Sequence, residues 1–154
     1  MYTPIPLSLY IHFPWCVQKC PYCDFNSHAI KNNQIPEDLY FQALIQDLDQ
    51  DLNLYFPDQQ TQKPTLVSIF LGGGTPSLFS AQALDQSFKY IHSKFKISST
   101  TEITLEANPG TIERGKFKTY FDIGINRISL GVQSFNSKHL KKLGRIHSDL
   151  EACL

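Results

Sequence analysis

The stretch from Tyr10 to His28, Y-I-H-F-P-W-C-V-Q-K-C-P-Y-C-D-F-N-S-H, carries cysteines at positions 16, 20 and 23. A C-x3-C-x2-C spacing offers three thiolates close together, whereas a four-iron cluster ordinarily takes four. Three ligands tie up three irons and leave the last open to an outside group. Other readings stand beside this one. With His12 or His28 the cysteines make a Cys3His set that tetrahedral zinc accepts, although structural zinc sites usually split their ligands into two separated pairs. Unligated thiols often pack as small hydrophobes, but Pro14 and Pro21 beside these three make a rigid loop rather than a packing stripe. An odd set of cysteines behind an N-terminus M-Y-T-P-I-P, which lacks the basic and apolar regions of a secretory signal, fits no disulfide framework. Cys153 stands alone and reads as an ordinary thiol rather than a fourth ligand.

Outward from this loop, short apolar runs alternate with segments of helical period, the pattern of β/α units around a parallel sheet. Leu7 to His12 reads as the first strand, directly ahead of the cysteines. Pro36 starts a helix whose apolar face is Phe41, Leu44, Ile45, Leu48, Leu52 and Tyr55, and Pro57 stops it. After a polar loop at Asp58 to Lys63, Leu66 to Leu71 forms the second strand. Ser80 caps a helix with Leu84, Phe88, Ile91 and Phe95 inward. Thr101 to Ala107 is strand three, followed by an N-P-G turn at Asn108 to Gly110 and a helix with Thr111 as cap and Gly124 as stop. Arg127 to Leu130 is strand four, Ser137 to Leu143 a short helix, and Ser148 with Glu151 a capping box for another. Four parallel strands without further neighbours leave an edge and half-covered apolar surface. An N-terminal fragment is therefore expected, with a complete small α/β domain as the alternative.

Composition sets outer bounds. The 154 residues are 42% hydrophobic and 12% aromatic, enough for one domain with a core. Lys and Arg number 14 against 14 Asp and Glu, so no charge excess argues for nucleic acid or anionic lipid. No apolar run approaches the roughly 20 residues that span a bilayer. The expected compartment is the reducing cytoplasm.

Three further motifs sit at the carboxyl ends of the predicted strands, the rim where α/β proteins keep their ligands. L-G-G-G-T-P-S, Leu71 to Ser77, lets backbone come close to a ligand, though glycines at strand ends are often plain turn residues. No Lys-Ser or Lys-Thr follows, so it is not a nucleotide P-loop. E-A-N-P-G-T places Glu106 on the rim, where an ordinary reading makes it a solvated turn residue. G-V-Q-S-F places Gln133 beside it, and L-G-R-I-H adds Arg145 twelve residues later.

Taken together, L-S-L-Y-I-H-F-P-W-C through L-G-R-I-H resemble the radical SAM superfamily, in the branch that contains the oxygen-independent coproporphyrinogen III oxidases and the HemW group of haem chaperones. The resemblance implies an α/β partial (β/α) barrel with a parallel sheet, of which residues 1–154 would be the first four of about six units. It implies a [4Fe-4S] cluster on Cys16, Cys20 and Cys23, with S-adenosylmethionine on the open iron. It also implies cofactor contacts from Gly73, Gly74 and Thr75, from Glu106, from Gln133 to the ribose hydroxyls, and from Arg145 through the carboxylate, with Tyr10 and Tyr22 flanking. Oxidases continue the cluster motif with a fourth cysteine two residues on, where this chain has Phe25. That departure, with C-P-Y-C-D-F-N-S-H and R-I-S-L-G-V-Q-S-F, resembles the chaperones, and implies haem, acceptor haemoproteins as partners, and membrane contact only through a membrane-bound acceptor. None of His12, His28, His92, His139 and His147 is singled out as a haem ligand. Radical decarboxylation by an oxidase is the second expectation, and a zinc-stabilised binding module the third.

Overall fold

A computed structural model describes residues 5–31, 34–57, 63–109 and 116–153. Strand β1 (Leu7–Phe13) runs into the cysteine segment, which is framed by two very short strands, β2 (Trp15–Cys16) and β3 (His28–Ala29). Helix α1 (Glu37–Tyr55), β4 (Thr65–Gly73), a 3-10 turn at Pro76–Leu78, α2 (Ala81–Lys94) and β5 (Lys96–Ala107) follow. Then come α3 (Lys116–Asp122), β6 (Arg127–Leu130), α4 (Ser137–Lys142) and α5 (Asp149–Cys153).

The main sheet is wholly parallel with spatial order β1-β4-β5-β6, the order of the chain itself. Each new strand is added on the same side. Since parallel crossovers are right-handed almost without exception, such an order winds in one direction and keeps its helices on one face, as a barrel does. A doubly wound sheet reverses direction and covers both faces. The expected α/β partial barrel, with four β/α units, is what the chain forms.

Alternation along the strands divides the two faces. Ile11, Phe13, Ile69, Leu71, Ile103 and Leu105 are buried in one core with Phe41 and Leu52 of α1, Leu84, Phe88 and Ile91 of α2, and Tyr120 of α3. The β1 end of this core is aromatic. Phe13 and Phe79 meet edge to face at 4.7 Å, and Trp15 meets Tyr40 in the same way at 4.7 Å. Those contacts, with the Tyr40 hydroxyl donating to the His12 carbonyl, fix the base of the cysteine segment against α1 and the 3-10 turn.

Helix ends follow the expected chemistry. Ser80 accepts from the Ala83 amide at 3.2 Å, and the Glu37 carboxylate grips the Ser80 amide and hydroxyl at 2.7 and 2.6 Å, tying α1 to α2. Ser148 and Glu151 form the reciprocal box, amide to carboxylate at 2.7 Å and amide to hydroxyl at 3.2 Å. Gly124 stops α3 at φ +103°, a conformation in which a side chain is strained. Thr111 and Gly110 lie outside the described residues, as does most of the Asp58 to Lys63 loop. Strand β5 begins five residues before the expected Thr101, because its first part pairs through an irregularity between Leu66 and Ser68 of β4 that polar Ser98 and Thr101 fill with hydrogen bonds.

Candidate functional site

The carboxyl ends of β1, β4, β5 and β6 open onto a cleft of about 300 Å³. Cys16, Cys20 and Cys23 are free, half-buried thiols on one wall, and Tyr22 lines the cleft beside them. The segment that carries them is closed at its base by backbone bonds. The His28 amide donates to the Pro14 carbonyl at 2.7 Å and the Ile30 amide to Cys16 at 2.8 Å. Inside it, the Cys23 amide turns back onto the Cys20 carbonyl at 3.0 Å. His12 latches the far end. Its Nε2 faces the Asn26 carbonyl at 2.7 Å, so that nitrogen carries the proton, and Nδ1 accepts from the Tyr10 hydroxyl at 2.9 Å.

The glycine turn forms the floor. Gly73 has φ +106°, and a methyl group there would collide with the His12 ring at 2.5 Å. At Gly74 a methyl group would strike the Trp15 and Phe13 carbonyls at 2.6 and 2.7 Å, so only glycine lets β4 approach the cysteine segment this closely. The amides of this turn are spent inside the protein: Gly73 on Glu106 Oε2 at 3.1 Å, Gly74 on Phe13 and Thr75 on Trp15, both at 2.7 Å. They are not donors to a ligand.

From the next two strands come Glu106, Asn108 and Gln133. Gln133 sits at φ +66°, which costs an ordinary residue roughly 1–2 kcal/mol. Strain of this kind collects at binding sites, where neighbouring structure holds it in place. Arg145, from the loop after α4, crosses the cleft. Its Nη2 donates to Asn108 Oδ1 and, at 2.8 Å, to the Gly131 carbonyl, while Nη1 reaches Cys20 Sγ at 3.2 Å. Nε is buried without a partner. These bonds use three of the five guanidinium N–H groups.

The structure therefore gathers ten of the eleven residues singled out above around one cleft. Tyr10 is the exception. It does not line the cleft but lies on the open sheet face over Phe70, and its pKa is raised by burial and then by the nearby Glu106 carboxylate. That of Tyr22 is also raised, first by burial and next by a hydrogen bond to Cys20, with Arg145 opposing. Asn108 and His12 are members of this site that the motifs did not expose. Asn108 donates to Thr75 Oγ1 at 3.1 Å and so joins the glycine turn to Arg145. Cys153 is exposed and does not line this cleft.

Among the described residues no three or more His, Cys, Asp and Glu side chains form a group able to hold one metal ion. A four-iron cluster takes one thiolate per iron, so its ligands ring a cavity without meeting at a point, as these do. Tetrahedral zinc needs convergence and a bare imidazole nitrogen. His12 has neither nitrogen spare, and His28 sits exposed in β3. Three free thiols on a cleft wall, one of them bonded by the Arg145 guanidinium, fit a thiolate-bound cluster, and that cation suits an anionic ligand beside it.

Residues 10–152 match the radical SAM superfamily. Curated haem chaperones HemW are similar to the chain at 57% identity in Haemophilus influenzae and 52% in Escherichia coli, each over 96% of its residues. It spans under two-fifths of their length, 38% and 37% respectively. The solved structure of coproporphyrinogen III oxidase (HemN) from Escherichia coli, a radical SAM enzyme, superposes with a TM-score of 0.80 at 27% identity, over 95% of this chain and 32% of that one. Elp3 of Methanocaldococcus infernus, at 13% identity and a TM-score of 0.54, shares the fold alone. The chain belongs to the radical SAM superfamily. That membership implies a [4Fe-4S] cluster and S-adenosylmethionine. No helix among the described residues is long and apolar enough to cross a membrane.

Proposed function

We propose that the chain is the cluster- and cofactor-binding part of a haem chaperone of HemW type. Cys16, Cys20 and Cys23 hold three irons of a [4Fe-4S] cluster, and S-adenosylmethionine lies across the cleft toward Glu106, Gln133 and Arg145. The observation that carries this reading is the gathering of those three rim residues and the three thiols around one cleft, although they come from separate strand ends and loops. The chemistry the bound pair supplies is one-electron reductive cleavage of S-adenosylmethionine.

The chain's own contribution is binding and orientation. With its turn amides already engaged, the Gly73 to Thr75 segment meets the methionine end of the cofactor with carbonyls and side chains, which suits a cationic amine. The charge of Arg145 suits a carboxylate beside the cluster. Gln133 offers amide donor and acceptor to ribose hydroxyls. Glu106 has one oxygen on the Gly73 amide and so couples any contact it makes to the turn. Tyr22 flanks the cluster, and Tyr10 acts from behind Glu106 and through His12.

A haem chaperone's role is carried over from relatives whose names state it, and delivery to acceptor haemoproteins in the cytoplasm is part of the same proposal. Coproporphyrinogen III oxidation is the second reading, favoured by the likeness to HemN. Against it stands Phe25, which lines the cleft mouth and is 60% exposed where the oxidases carry their additional cysteine. The test is electron paramagnetic resonance of the reconstituted, reduced chain. S-adenosylmethionine should change the cluster spectrum, and Glu106→Ala and Gln133→Ala should each weaken that effect, by roughly 1–3 kcal/mol in affinity, with iron retained. An unchanged spectrum at saturating cofactor contradicts the reading.

A further inference from the structure

The three cysteines are not equivalent in what surrounds their sulfurs. Cys23 Sγ has a neutral partner, the Ser27 hydroxyl, at a long 3.7 Å. Cys20 Sγ has a cationic donor, Arg145 Nη1, at 3.2 Å. Charge-assisted hydrogen bonds are roughly twice as strong as neutral ones. Nor is the guanidinium a loose surface group. Nη2 is fastened to Asn108 Oδ1 and the Gly131 carbonyl, Asn108 is fastened to the buried Thr75 hydroxyl, and the Thr75 amide to the Trp15 carbonyl. A chain of bonds from four separate segments thus aims one N–H of Arg145 at one thiolate.

We propose that Arg145 acts directly on the cluster, its Nη1–H bond to Cys20 Sγ raising the cluster's reduction potential whether or not S-adenosylmethionine is bound. The sign follows from charge. Reduction brings one electron from an outside low-potential donor onto the cluster, and the added negative charge is shared by the thiolate sulfurs. A fixed cation bonded to one of them stabilises the reduced state more than the oxidised one, and hydrogen bonds to sulfur are an established lever on such potentials. Arg145 is then a positioning and tuning residue in addition to any contact with the cofactor. Asn108 holds it in place. The inference rests on the proposed cluster at the three cysteines.

The experiment is a redox titration of the reconstituted 154-residue chain followed by electron paramagnetic resonance, without S-adenosylmethionine, after iron has been measured in each sample. Arg145→Met should lower the midpoint potential by the equivalent of about tenfold in the reduction equilibrium, roughly 59 mV for one electron. Asn108→Ala frees the fork but keeps its charge, and should shift the potential in the same direction by less. It carries the test if Arg145→Met fails to load. A fully loaded Arg145→Met chain with the wild-type potential, or a shift seen only when S-adenosylmethionine is added, overturns the inference. So does loss of iron from both variants while the wild type loads, which would make Arg145 an assembly requirement. A wild-type chain without iron removes the cluster reading itself, and the prior iron analysis tells that failure apart.

Discussion

Along β1, Ile11 and Phe13 turn toward the helices while Ser8, Tyr10 and His12 turn away; along β5, Ile103 and Leu105 are separated in the same way from Glu102, Thr104 and Glu106. The two faces share a backbone but not a chemistry. On the helix side, apolar side chains interlock with α1, α2 and α3. On the other side a polar lattice runs across the strands: the Ser68 hydroxyl donates to Ser8 at 2.8 Å, and Arg127 meets Glu102 at 3.4 Å and Thr104 at 3.2 Å. Parallel sheets are usually covered and apolar on both faces. Here the polar face ends, at the carboxyl edge, in His12 and Glu106, the residues that latch the cysteine segment and the glycine turn. One face supplies stability, and the other leads into the site.

That division is open to attack by substitution. Phe13→Ala, at the centre of the aromatic contacts, should cost about 3–5 kcal/mol in denaturant unfolding. Ser68→Ala on the open face should cost no more than about 1 kcal/mol, the worth of one neutral hydrogen bond. Equal costs would erase the distinction between the faces.

A smaller effect tests the loop that brings Arg145 into the cleft. His147 is buried, donates through Nε2 to the Val132 carbonyl at 3.0 Å, and leaves Nδ1 without a partner. Burial lowers its pKa below the ordinary 6.5, Arg145 lowers it further, and the Val132 bond and Glu151 pull the other way. The unfolded chain then binds the proton first as pH falls. Stability from this group is whole above about pH 6.5 and declines below it, at most about 1.4 kcal/mol per unit of pKa difference. Replacing it, His147→Gln, should flatten unfolding stability between pH 7 and 5. An undiminished slope in that variant would assign the effect to another group.

Elements with many residues of one period were legible in the sequence. Helix α2 had its cap at Ser80 and its inward Leu84, Phe88 and Ile91, because burial on one side imposes a repeat that a reader can count, while Phe95, read with them, is the extended residue after the helix. The paired β2 and β3 were not legible, since two residues have no period and their bonds join positions far apart in the chain. Of the site, the residues within compact motifs were found. Asn108 was hidden because Asn before Pro-Gly is an ordinary turn residue, and its bonds to Thr75 and Arg145 exist only after the strand ends meet. The glycines were read as letting backbone come close to a ligand; their amides are engaged within the protein, and their small size also serves the approach of β4 to Trp15. His12 was weighed as a zinc ligand, and its role as a latch became visible only once its ring was seen between Tyr10 and Asn26.

Three thiolates holding a cluster beside the carboxyl edge of this sheet are the centre of the proposed site. Iron, sulfide and zinc analysis of chain prepared and reconstituted without oxygen tests it most directly. About four irons per chain are expected, lost in Cys16→Ala, Cys20→Ala or Cys23→Ala and kept in Cys153→Ala. One zinc per chain with no iron, or loss of iron on changing Cys153, would contradict it.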